Sequence, residues 1–140
     1  MAQNTSPVFP LVPVITWVNT GAVTANTTTD LTAGTNYNSN FTANATNGSR
    51  VDFIRSRALG TNVATVMRVW INNGSTTATA ANNTLFFERT LAATTSTQTA
   101  ELADVILPIN VSLPAGYKIY YTFGTAVAAG YSIQVVGGDY

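Results

Sequence analysis

SRVDFIRSRALGTNVATVMRVWINNG, residues Ser49 to Gly74, is two stretches in which β-branched and aromatic residues alternate with polar ones, joined by a short Gly-Thr-Asn break. Alternation with period two is what a strand shows when one face meets a core, because successive side chains point to opposite sides. On Val63 to Ile71, the residues Val63, Thr65, Met67, Val69 and Ile71 share one face, which reads as core. Ala64, Val66, Arg68 and Trp70 share the other. On Val51 to Leu59, the split sets Ile54, Ser56 and Ala58 opposite Val51, Phe53, Arg55, Arg57 and Leu59. Each strand is thus expected to carry one face with arginine beside a large apolar group.

Arg50, Arg55, Arg57 and Arg68 make this stretch the basic part of a chain that has only six Lys and Arg in all. The arginine faces have two readings. They are solvated surfaces whose aliphatic stems cover Phe53 and Trp70, or they are subunit interfaces, where arginine and aromatics are enriched and lysine is depleted. Five arginines against one lysine lean towards the second. The candidate interface is Phe53, Arg55, Arg57, Arg68 and Trp70. It is one patch if Gly60-Thr61-Asn62 closes a hairpin and two if that break crosses from sheet to sheet.

Outward from this stretch the same alternation recurs. Strands are expected at Val14 to Val18, Tyr37 to Ala43, Thr84 to Leu91, Val105 to Ile109, Tyr117 to Phe123 and Tyr131 to Val136, separated by turn residues such as Asn72-Asn73-Gly74-Ser75 and Leu113-Pro114-Ala115-Gly116. Val23 to Asn47 is rich in Thr, Asn and Gly and is weakly specified. Eight short strands without a helical period predict an all-β, single-domain antiparallel β-sandwich, for which an eight-stranded jelly roll is the simplest plan.

Pro7, Pro10 and Pro13 fix φ and remove amide donors, so residues 1–13 read as an extended N-terminal arm and 14–140 as the sandwich. Val8, Phe9, Pro10, Leu11 and Pro13 make the arm too apolar for a solvated tail. It either folds back over its own domain or reaches a neighbouring subunit. The prolines and the lack of a basic start also argue against a secretory signal.

The 140 residues are 46% hydrophobic and only 9% charged, against a usual charged share of about 25%. Surface polarity must come from Thr, Asn and Ser, a neutral hydrogen-bonding coat suited to a permanent assembly. A formal charge of zero gives no drive towards a phosphate backbone, so nucleic acid is not an expected partner. No run is long enough to span a membrane. With neither Cys nor His in the chain, thiolate nucleophiles, most zinc sites and the commonest general base are excluded. Glu101 and Asp104 are the only acids close in sequence, and no nucleophile elbow or phosphate-cradling glycine motif accompanies them. No enzyme activity, cofactor or metal is expected. Tyr117, Tyr120, Tyr121, Tyr131 and Tyr140 have an amphipathic packing role, or form a sugar-stacking platform in a host- or glycan-binding module.

Four segments carry a resemblance: Gly48 to Gly74, Ala80-Ala-Asn-Asn-Thr-Leu-Phe86, Ser112-Leu-Pro-Ala-Gly-Tyr-Lys-Ile119 and Val136-Gly-Gly-Asp-Tyr140. From about Gly48 onward the chain resembles a family of small all-β proteins encoded by tailed bacteriophages and prophages. The Asn/Thr-rich first third departs from that pattern. The resemblance implies a virion component of the capsid cement or decoration type, made in the host cytoplasm and carried on the capsid surface. Its partners would be the major capsid protein and its own copies, as a homotrimer. The matching segments are structural signatures and imply no activity.

Overall fold

The computed structural model describes residues 9–28, 30–32 and 38–140. Its strands are β1 (Val12–Asn19), β2 (Asn38–Thr42), β3 (Ser49–Ala58), β4 (Thr65–Asn72), β5 (Asn83–Leu91), β6 (Asp104–Leu113), β7 (Lys118–Phe123) and β8 (Tyr131–Asp139). They form two four-stranded sheets, ordered β1-β8-β3-β6 and β2-β7-β4-β5, in which every neighbouring pair is antiparallel. Apart from the β4–β5 hairpin, each strand leads to one in the opposite sheet. The chain is an all-β sandwich.

Alternation supplies the core. Ile54, Met67, Val69, Leu91, Leu107, Ile119, Phe123, Ile133 and Val135 all turn inward and pack in one cluster between the sheets. Each such side chain taken from water contributes roughly 1.5–3 kcal/mol. Two expectations for the inner faces need correction. Val63 precedes β4 and is 55% exposed, so the core face of that strand begins at Thr65. Val51, expected to face outward with Phe53, is fully buried. The register of β3 shifts between Val51 and Phe53 against both of its neighbours, and this irregularity turns Val51 and Ile54 to the same side.

Gly60-Thr61-Asn62 is a crossover, since β3 lies in the first sheet and β4 in the second. Asn62 is buried there and pins three parts of the chain together. Its Nδ2 donates to Gly130 O at 2.9 Å, and its Oδ1 accepts from the amides of Ala129 at 2.8 Å and Gly130 at 3.1 Å. Its backbone exchanges hydrogen bonds with Thr94 at 3.1 and 2.9 Å, while Thr94 Oγ1 donates to Gly60 O at 2.7 Å.

Tyr121 and Tyr131 are core residues, and both hydroxyls are buried without a hydrogen-bond partner among the described residues. Phe123 lies between them, edge-on to Tyr121 and stacked on Tyr131 at 5.3 Å. Burial pushes both phenols above the ordinary tyrosine pKa. The folded state therefore holds these protons more tightly than the unfolded chain, so stability is intact below about pH 10 and falls as pH rises beyond it. Tyr121→Phe removes an unpaired hydroxyl while keeping the ring, and should raise stability at pH 7 by about 1 kcal/mol. It should also move the alkaline unfolding midpoint upward. Urea unfolding at neutral and alkaline pH measures both; an unchanged alkaline midpoint would contradict the assignment.

Candidate functional site

The outer face of the first sheet is assembled by register from four strands. Across it, from β1 through β8 and β3 to β6, run three rows: Ile15, Val136, Phe53, Pro108; then Trp17, Gln134, Arg55, Ile106; then Asn19, Ser132, Arg57, Asp104. The first row is wholly apolar, the second is apolar at both ends, and the third is polar. Ile15 is 60% exposed, Trp17 67% and Ile106 58%. A typical outward sheet face is polar, so exposed side chains of this size on the two edge strands make this face unusually apolar.

The charges are grouped at one end. Arg55 Nη2 pairs with Asp104 Oδ2, and Arg57 Nε stands 3.8 Å from Asp104 Oδ1. Elsewhere on β3, Arg50 Nε meets Asp52 Oδ1 at 2.7 Å. Exposed pairs such as these contribute little to stability, about 0–1 kcal/mol each. Their consequence is geometric, because Asp104 holds both guanidiniums down on the sheet beside the apolar rows.

Only part of the expected interface lies here. Phe53, Arg55 and Arg57 are on this face, while Arg68 and Trp70 belong to the second sheet on the other side of the molecule. Trp70 is 2% exposed and donates from Nε1 to Thr122 Oγ1 at 3.1 Å, so it is not an exposed interface residue. By alternation it points outward, and the segment after Val23 crosses that side. Asn26 donates its amide to Phe123 O at 2.7 Å, and its carbonyl accepts from Arg68 Nη1 at 3.1 Å. Further along, Leu31 is fully buried without belonging to the inter-sheet cluster. Arg68 also binds Glu88 at 2.7 Å. It is a clasp for that segment.

Val8 lies outside the described residues, as does Tyr37 at the start of the expected second strand. Val12 and Pro13 are the first residues of β1, so the segment before the sandwich ends at Leu11. Pro13 is tolerated because β1 is an edge strand. Thr20 donates to Tyr131 O, and by alternation Pro13's missing amide falls on the open side. Leu11 lies just before the strand, its amide donating to Asp139 O at 2.7 Å out of step with the alternation of β1, and Pro10 sits directly against Gly138. Phe9 and Leu11 are 70% and 81% exposed.

Other places in the molecule offer less chemistry. Among the described residues no three of His, Cys, Asp and Glu are grouped to hold a metal. Asp104 is engaged by two arginines rather than by Glu101. A cleft of about 310 Å³ beside Arg68 is lined by Thr65, Thr90 and Thr125, with the Thr65 hydroxyl already bonded to the Thr125 backbone. The sugar-platform reading loses Tyr121 and Tyr131 to the core. Comparison with family models, with curated proteins and with solved structures finds no match.

Proposed function

We propose that the chain is a structural protein of a tailed-bacteriophage virion, of the kind that decorates the outside of the head and holds its capsid proteins together. Its partners on this reading are the major capsid protein and further copies of itself. The observation that carries it is the root of the N-terminal segment, where Phe9 and Leu11 stand exposed on backbone anchored to the sheet by the Leu11 to Asp139 hydrogen bond. Apolar side chains fixed in place dock with less loss of entropy than those on a free tail. The resemblance from Gly48 onward supports the same class of function. So does the near-absence of charge, which suits a surface meant to be covered. We also take the strand order β1-β8-β3-β6 over β2-β7-β4-β5 as that of a jelly roll, two Greek keys wound together.

The test uses heads assembled without this protein. The wild-type chain should cosediment with them and appear as added density on their outer surface by electron cryo-microscopy. A Phe9→Glu, Leu11→Glu double variant should bind about 30-fold more weakly or worse, as loss of an anchoring pair does, with its thermal unfolding unaltered. Equal binding by the variant would sink the docking role; no binding by the wild type would sink the virion role.

A further inference from the structure

The three rows on the outer face of the first sheet are complementary to themselves, and we propose that this face packs against the same face of a second copy about a two-fold axis parallel to the strands. Such an axis reverses the order across the sheet and keeps the position along it. It sets β1 over the partner copy's β6 and β8 over its β3. Row by row, Trp17 then covers Ile106 and Ile15 covers Pro108, while Val136 meets Phe53. In the polar positions, Arg55 meets the side-chain carbonyl of Gln134, Arg57 meets Ser132, and Asn19 meets Asp104. Every apolar residue finds an apolar one, and no guanidinium faces another.

The other in-plane axis, perpendicular to the strands, fails this test. It sets β1 over β1 and β3 over β3, so that Arg55 opposes Arg55 at close range in a desolvating interface. Size is adequate. Four strands about 4.8 Å apart and eight residues long at about 3.4 Å each cover roughly 500 Å² per copy, the least that a specific interface of about 1,000 Å² needs. A self-complementary patch is what a two-fold contact requires. The inference stands apart from the virion reading: a dimer that ignores heads would remove that reading and leave this one.

Sedimentation equilibrium of the purified chain should give twice the chain mass at micromolar concentration. Trp17→Glu and Ile106→Glu, both at exposed positions, should each weaken the dimer about 30-fold or more with thermal unfolding unchanged. The axis is tested by cross-linking, since the chain has no cysteine of its own. Facing sheets stand about 10 Å apart, too far for a disulfide but within reach of a short bis-maleimide. A mixture of Asn19→Cys and Asp104→Cys proteins should cross-link, and either alone should not. A monomer, or the trimer that the resemblance implies, would overturn the proposal; so would a mixture that cross-links no better than its components.

Discussion

Gly137→Ala should destabilise the sandwich by at least about 3 kcal/mol and leave little folded protein at 37 °C. Gly137 lies in β8 opposite Val51, at the place where the β3 register shifts. A methyl group there would stand 2.0 Å from Arg50 O and 3.0 Å from Val51 Cα. Both are backbone atoms of the strand next door, so no rotamer change relieves the contact. Either β8 separates from β3 or the irregularity that buries Val51 is undone. Both outcomes break the centre of the first sheet, because β3 and β8 are its two inner strands. Gly116→Ala is the matched control. Its φ of +75° makes the change strained, but an added Cβ has nothing within 4 Å, so the cost should stay near the 1–2 kcal/mol of a left-handed residue. Thermal unfolding of the two variants side by side separates close approach from backbone strain; equal losses would mean that the fit at Gly137 is looser than described.

How much of this was open to sequence reasoning differs from one strand to the next. Where polar and apolar residues alternate, as in Met67-Arg68-Val69, the inward pair came directly from period two, Met67 and Val69 being core and Arg68 not. In β1 the rule had nothing to grip. VPVITWVN is apolar at both parities, so period two cannot say that Val14 and Val18 pack inward while Ile15 and Trp17 face out. That choice depends on which face the second sheet covers. The docking face was consequently found only in part, through Phe53, Arg55 and Arg57, and its most exposed members were missed. Val51 was misplaced because an inserted residue resets the alternation without any Gly or Pro to announce it. Trp70 was misplaced because alternation gives the side it points to but not what lies over that side, and there it is 2% exposed.

Removing the Asn62 side chain should cost about 3 kcal/mol, from two backbone amides left unpaired at about 1–3 kcal/mol each before partial relaxation. Asn62→Ala strands the amides of Ala129 and Gly130 and leaves the Gly130 carbonyl with its bond from the Leu59 amide alone, in a place where Asn62 itself is 3% exposed. Asn62→Asp is the sharper variant. It keeps the shape and the acceptor for both amides, but it replaces the donor to Gly130 O with a carboxylate oxygen. A buried charge then faces a carbonyl, and the variant should be at least as unstable as the alanine at pH 7. Acidification protonates the carboxyl, restores one donor and should recover part of the loss, whereas the alanine variant gains nothing from this. Urea unfolding at pH 7 and near pH 4 distinguishes them. The reason for so large an effect is positional. A hairpin at residues 60–62 would have satisfied its backbone locally, whereas a crossover leaves it to find partners in distant segments. Asn62 supplies them from the Thr94 and Gly130 loops at once, so the two sheets are held in relative position by a side chain that can donate and accept together. A variant with Asp as stable as wild type at neutral pH would show that the crossover is held by its flanking strands instead.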